Sequence, residues 1–224
     1  MKLVVAVLAR NEAGPDRYLR RVLTRCREFA DTICLLDDNS TDGTIDLARE
    51  MGCVVRTRSA TDHAWGNESS ARKELWEFAC EYATGPNDWI LVNDADQILV
   101  GDVRALCKTK EANTLCFTLY DLWSETEYRE DALWQGHLNA RPWCFAPHRV
   151  PAGWVPEWNA AQIHTGHAPI SFPIVPLVAP SDSYYWLHFG YSKPEHRTLK
   201  YEQYMSQSAQ LTPFQRAHAE SIVN

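Results

Sequence analysis

The chain has no Cys-x-x-Cys pair, no apolar run long enough to cross a membrane and no surplus of positive charge. Each absence excludes something. The seven cysteines, at 26, 34, 53, 80, 107, 116 and 144, lack the paired spacing of a zinc site. Their odd number and apolar surroundings fit free, buried thiols in a reducing compartment. The apolar stretch at residues 2–9 stops at Arg10 and Asn11. That is far short of the roughly 20 residues of a membrane span, and no cleavage site follows it. A cytoplasmic protein with no transmembrane segment is expected. With 22 basic against 29 acidic residues, the net charge is -7. That balance disfavours a dedicated nucleic-acid binder, whose affinity rests on Lys and Arg at phosphates, and leaves nucleic acid open as a substrate.

What is there is a soluble globular composition. Of 224 residues, 45% are hydrophobic and 23% charged, which suits one domain. Nine tryptophans stand out, an excess that asks for a role beyond core filling.

The first hundred residues alternate between two periods. Leu3–Ala9 is a continuous Val-rich run, the pattern of a strand buried on both faces. Residues 16–29 follow with Leu19, Val22, Leu23 and Cys26 on one helical face. Strands are predicted at 32–36, 53–57 and 89–92, and helices at 44–51 and 67–82. This alternation implies parallel pairing through right-handed crossovers, a Rossmann-like α/β unit. The second half differs. Residues 114–121 and 126–134 read as strands. Between Arg141 and Pro180 eight prolines fall in forty residues, predicting loops and short edge strands rather than central ones. Ser192-Lys193-Pro194-Glu195 and Thr212-Pro213-Phe214-Gln215 have the spacing of capping boxes. They predict a helix from there to about residue 210 and a last one to the end.

Two acidic clusters sit at predicted strand ends. Asp37-Asp38-Asn39-Ser40-Thr41-Asp42-Gly43-Thr44 follows the second strand. Turn and helix-cap chemistry accounts for Asn39 to Thr44. It does not account for two adjacent acids ending an apolar strand, where α/β sheets bind ligands. Carboxylates there can accept from nucleobase N–H groups or ribose hydroxyls. Asp94-Ala95-Asp96 follows the fourth strand, and alternation puts its two carboxylates on one side. Such a pair repels unless a cation lies near, and hard oxygen ligands suit Mg²⁺ or Mn²⁺.

The segments Val4-Val5-Ala6-Val7-Leu8-Ala9-Arg10-Asn11-Glu12, Asp37 to Thr44 and Asp94-Ala95-Asp96 together resemble glycosyltransferase family 2, in order and spacing, over roughly residues 1–110. The resemblance implies a GT-A fold: a mostly parallel sheet flanked by helices, with a Pro/Trp-rich acceptor region and C-terminal helices. It implies a single domain over 1–224, with a nucleotide-sugar-binding half (1–110), an acceptor half (111–191) and a helical segment (192–224). The implied activity is metal-dependent transfer of a sugar from a nucleotide-diphosphate sugar to an acceptor hydroxyl, with Mn²⁺ or Mg²⁺ as cofactor. In that frame Ala9, Arg10 and Glu12 line the nucleotide pocket. Asp38, with Asp37, contacts the base, and Arg72 lies near the nucleotide. Asp94 faces ribose or metal, and Asp96 ligates the metal. His188, in the aromatic run Trp186-Leu187-His188-Phe189, stands where relatives place a further metal ligand. Lys193 and Arg197 are phosphate candidates on a segment that covers the donor.

An inverting transferase needs a base for the acceptor hydroxyl. Asp131, in the Glu130-Asp131 pair, is the first candidate, with Glu157 and His164 behind it; other acids of this half are Asp121, Glu125 and Glu127. A retaining reaction, which needs no such base, stays open. Two other readings compete. A nucleotidyltransferase of similar fold carries a Gly-rich loop after the first strand, whereas residues 9–14 hold one glycine. A non-catalytic carbohydrate-binding protein would use the tryptophans but has no need of acids at two strand ends. Six tryptophans, at 123, 134, 143, 154, 158 and 186, follow Asp96 and point to an aromatic acceptor cleft. Trp65 is expected to border the donor. The acceptor itself, whether glycan, lipid-linked sugar, small glycoside, protein or modified DNA base, is not legible.

Overall fold

A computed structural model describes residues 1–59, 67–159, 166–206 and 211–223. Its centre is β1 (Leu3–Ala9), with β2 (Thr32–Asp37) on one side and β4 (Trp89–Asp94) on the other, all parallel; β3 (Val54–Thr57) extends the parallel set beside β2. The apolar run of β1 has a simple cause. Leu3, Val5, Val7 and Ala9 pack on one face, toward α1 (Leu19–Cys26) and α2 (Thr44–Glu50). Val4 and Ala6 pack on the other, against Leu75, Trp76, Phe78 and Ala79 of α3 (Glu68–Cys80). Each Leu, Val or Phe among them contributes about 1.5–3 kcal/mol when fully buried. α1 is shorter than the predicted 16–29. The chain is still in a turn at residue 17, whose N–H bonds to Gly14 O at 3.0 Å, and the buried stripe of Leu19, Val22, Leu23 and Cys26 spans the helix.

The sheet continues in the order β3-β2-β1-β4-β7-β6-β9-β5. Its further strands are β5 (Gln97–Val100), β6 (Thr114–Asp121), β7 (Arg141–Phe145), β8 (Pro176–Val178, beside β6) and β9 (Tyr185–His188); a short α4 (Val103–Leu106) follows β5. Three sequence expectations need correction. First, β7 is a central strand although it contains Pro142. The proline sits where the ladder to β6 shifts register, between Leu115 and Cys116, so its missing N–H costs little. Second, residues 126–134 form no strand beyond a single bridge between Leu122 and Tyr128. Ser124 Oγ accepts from the N–H groups of Thr126 and Glu127, and Asp131 Oδ1 from those of Leu133 and Trp134. These local bonds give the backbone an alternative to a ladder. Third, β5 follows Asp96 directly, where no strand was expected.

The C-terminal helices are α5 (Pro194–Ser206) and α6 (Pro213–Glu220). Thr212 and Gln215 form the reciprocal capping box read from sequence. Ser192 does not act that way. Its Oγ donates to Phe189 O and lies 2.7 Å from Tyr18 Oη, so α5 starts at Pro194 without it. Both helices close over Trp134, which packs with Tyr191, Tyr204, Ala219 and Ile222 in a separate apolar cluster.

Candidate active site

Two loops leave the carboxyl ends of β1 and β2 and are laced to each other. Asn11 N–H donates to Ser40 Oγ at 2.9 Å, and Asn11 Oδ1 accepts from Thr41 N–H at 2.8 Å. Both turns pass through the left-handed region at an asparagine, Asn11 (φ 53°) and Asn39 (φ 55°), a residue type that tolerates it. Asp42 caps α2 through Thr44 N–H at 2.9 Å and takes Ala13 N–H at 3.0 Å. The turn-and-cap reading of Asn39 to Thr44 is therefore sound. Asp37 is fully buried, and its Oδ2 accepts from Ser40 N–H at 3.0 Å. Asp38 is 1% exposed and reaches the cleft wall. Behind it the buried Arg58 places Nη1 2.5 Å from Oδ1, while Arg10 Nη1 stands 3.7 Å from Oδ2.

Asp94 ends β4 and Asp96 lies in the turn that follows it. Arg72 reaches Asp94 from α3: its Nη1 donates to Asp94 Oδ1 at 2.8 Å and its Nη2 to Glu68 Oε1 at 3.1 Å. Burial works against both charges. Even so, Arg72 holds the Asp94 carboxyl below its ordinary range, and Asp94 and Glu68 raise the Arg72 pKa. Asp96 owes its neighbours to the sheet. β9 lies between β5 and β6, with Gln97 opposite His188 on one side and Asp121 opposite it on the other. That register puts His188 Nδ1 2.7 Å from Asp121 Oδ1 and Nε2 3.4 Å from Asp96 Oδ2. Lys200 from α5 completes the node, with Nζ 3.2 Å from Asp96 Oδ2 and 3.2 Å from His188 Nε2. Burial opposes the Asp96 charge, but Lys200 and His188 hold its pKa far below the usual carboxylate range. Burial and Lys200 oppose a charge on His188, yet Asp96 and Asp121 carry its pKa up to about 9.

These groups open into one cleft of about 1160 Å³. Ala9, Arg10, Glu12, Asp38, Arg72, Asp94, Asp96 and His188 all line it. Burial, and then Asp96, pushes the Glu12 carboxyl up to about 7, poised near neutrality. The other expected site residues stand apart from the lining. Asp37 is buried behind it. Lys193 pairs with Asp16 at 2.8 Å, and Arg197 donates to Trp123 O and Tyr191 O while stacking over Trp123. Asp131 binds Arg129 at 2.7 Å and caps the turn at Leu133 and Trp134. Burial opposes its charge, but those backbone N–H groups and Arg129 keep its carboxyl low. Glu157 is exposed, with its N–H on Ser171 Oγ. His164 and Trp65 lie outside the described residues.

Sequence reasoning missed three groups here. Arg58 follows β3, and nothing in its local pattern signals a buried partner for Asp38. Lys200 reads as one cation on a solvated helix face. His167 lies in the proline-rich stretch, where no periodicity guides a reading. It lines the cleft, stacks on Trp143 at a centroid distance of 3.9 Å, and is pushed down to about 4, by burial first and then by Arg72. The expected aromatic cleft is thinner than the composition suggested. Of the six tryptophans after Asp96, Trp134 and Trp143 line the cleft, while Trp186 is fully buried and Trp154 and Trp158 pack beside α3.

The donor set tolerates a divalent cation. Two neighbouring ligands, each about 2.0–2.2 Å from such an ion, stand about 3 Å apart, close to the Asp96–His188 separation of 3.4 Å. Asp121 on Nδ1 is the outer partner that leaves Nε2 available to an ion. Gly190 makes the room. A Cβ there would collide with Lys200 Nζ and lie 2.5 Å from Asp96 Oδ2 and 2.7 Å from His188 Nε2. Among the described residues no three His, Cys, Asp or Glu side chains form a complete cage.

The sequence model of glycosyl transferase family 2 matches residues 4–106. No curated protein matches the chain. Among solved structures, S. aureus TarS 1–349 is similar at 16% identity with a TM-score of 0.51, the match covering 100% of this chain and 69% of that one. A second S. aureus TarS structure is 17% identical with a TM-score of 0.49, over 100% of this chain and 42% of that one. Glucosyl-3-phosphoglycerate synthase from Mycobacterium tuberculosis, in complex with Mn²⁺, uridine diphosphate and glucosyl-3-phosphoglycerate, is 16% identical with a TM-score of 0.37, over 54% of this chain and 44% of that one. The chain thus spans less than half the length of the last two. At these identities the likeness to TarS 1–349 concerns the fold, and that fold is GT-A. The chain is thus similar to glycosyl transferase family 2 over residues 4–106, and its fold is that of its GT-A neighbour.

Proposed function

We propose that the protein is a metal-dependent glycosyltransferase that moves a sugar from a nucleotide-diphosphate sugar to an acceptor hydroxyl. One observation carries this reading: Asp38 from the end of β2, Asp94 and Asp96 from the end of β4, and His188 from β9 converge on one cleft. Asp38, backed by Arg58 and Arg10, accepts from the base, with Ala9, Arg10 and Glu12 beside it and Asp37 supporting the turn. Asp94, oriented by Arg72, faces the ribose. Asp96 and His188 would hold Mn²⁺ or Mg²⁺, the remaining coordination positions being left to donor oxygens and water, as the incomplete protein cage requires. The cation supplies charge stabilisation to the departing nucleoside diphosphate. Lys193 and Arg197 would approach the phosphates only if α5 shifts. For deprotonation of the acceptor we keep Asp131, on the loop whose next three residues line the cleft, ahead of Glu157 and His164; it would act there once released from Arg129 and the Leu133 and Trp134 N–H groups.

We divide the chain into a donor half (1–110), an acceptor half (111–191) and a helical segment (192–224) within one domain. Among the described residues no helix is long and apolar enough to cross a membrane. Seven free cysteines support a cytoplasmic setting. The test is a thermal-shift panel of UDP-, GDP- and dTDP-sugars with Mn²⁺, followed by donor hydrolysis. A ligand at 100 times its Kd adds about 2.7 kcal/mol of stability. One donor should stabilise the protein and be slowly hydrolysed, and Asp96→Ala should abolish hydrolysis. No response to any donor, with or without metal, would defeat the reading.

A further inference from the structure

We propose that the point between Asp96 and His188 accepts either of two cations, the Lys200 ammonium or a divalent metal ion, and never both. The inference rests on the metal reading above and adds an occupant to that site. Lys200 Nζ is equidistant from the two ligand atoms, 3.2 Å from Asp96 Oδ2 and 3.2 Å from His188 Nε2. Those atoms are 3.4 Å apart, so an ion held about 2.1 Å from each would lie within roughly 4 Å of Nζ. The arrangement is built into the backbone. Gly190 leaves open the pocket in which all three groups meet, and a Cβ at 190 would collide with Nζ itself. The Tyr191 ring, 4.7 Å from Nζ, forms a second wall that favours a cation.

An ammonium and a divalent ion this close repel each other and compete for Asp96 Oδ2, so metal entry requires Nζ to leave, and it also displaces the proton on His188 Nε2. It has somewhere to go, because the side chain is 20% exposed and borders the cleft. Its neighbours Leu199 and Gln203 line the same cleft. Withdrawal of Lys200 therefore opens the cation position and alters the cleft wall at once. In the metal-free protein Lys200 and His188 together balance the partly buried Asp96 carboxylate.

The experiment is a Mn²⁺ titration without donor, read from the loss of the free-ion electron paramagnetic resonance signal. It compares wild type with Lys200→Met and Lys200→Gln, at 0.1 M and 0.5 M KCl, roughly the range over which salt shortens the reach of charge. If the ammonium holds the site most of the time, removing it tightens Mn²⁺ binding about tenfold or more, and the gain persists at the higher salt. Equal or weaker binding by both variants overturns the proposal while leaving the metal reading intact. A gain that disappears at 0.5 M KCl also overturns it, because the effect is then one of distant charge. Absence of Mn²⁺ binding in all three proteins overturns both this proposal and the metal reading. Circular dichroism of each variant confirms that it is folded.

Discussion

Replacing Arg72 by Met removes the cation between two carboxylates. The Arg72 side chain is 7% exposed, and its partners Glu68 and Asp94 are 21% and 28% exposed. Breaking a fully buried pair costs about 3–5 kcal/mol because a charge is left unpaired. Here partial exposure lets water reach the stranded carboxylates, so about 2–4 kcal/mol is expected. For a domain of this size that corresponds to a fall in Tm of roughly 5–15 °C. Lys at this position can meet one carboxylate but not fork to both, so Arg72→Lys should lose about half as much. Urea unfolding followed by tryptophan fluorescence at pH 7.5 measures each value. The Arg72→Met penalty should shrink by at least about 1 kcal/mol in an Asp94→Asn background, where no charge is stranded at 94. A loss below about 0.5 kcal/mol for Arg72→Met, or a loss unchanged by Asp94→Asn, would show that Arg72 does not neutralise Asp94 in the folded protein.

Three further outcomes follow from the geometry. His167 stays neutral in the folded protein until about pH 4, whereas in the unfolded chain it takes up a proton near pH 6.5. Stability should thus fall as pH drops from about 6.5 to 4, by roughly 2–3 kcal/mol given partial exposure, and His167→Phe should flatten that part of a urea-midpoint profile. Gly190→Ala should fold with a loss of about 1–3 kcal/mol from overpacking and lose Mn²⁺ binding in a direct titration, since its methyl group fills the cation position. Thr212→Ala removes the reciprocal cap of α6 and should cost about 1 kcal/mol, readable as a Tm shift; no change would mean that α6 contributes nothing to folding.

The parallel half of the sheet was legible because β1, β2 and β4 are covered on both faces and so read as unbroken apolar runs. β5 was not, since Gln97–Val100 is only four residues long and its place depends on β9, some ninety residues away. β7 was misread for a related reason: the register shift that tolerates Pro142 belongs to β6. The same division applies to the site. Asp38, Asp94 and Asp96 could be found because acids at the ends of apolar strands are anomalous in themselves. His188 stood out as a polar residue in an aromatic strand. Lys200, Arg58 and His167 acquire meaning only from partners distant in sequence, and a lone cation or imidazole carries no local signature of such a partner. Asp131 drew attention as half of an acidic pair, yet its oxygens are engaged in a turn and an ion pair.

On the proposed reading, Asp96 and His188 would hold a cation that in turn holds a nucleoside diphosphate. Isothermal titration of UDP, GDP and dTDP into the protein, with and without Mn²⁺, tests it most directly when repeated on Asp96→Asn. One diphosphate should bind at least about tenfold more tightly with Mn²⁺, a difference of about 1.4 kcal/mol, and Asp96→Asn should abolish this gain. Equal affinity with and without Mn²⁺, or a gain that survives Asp96→Asn, would contradict that reading.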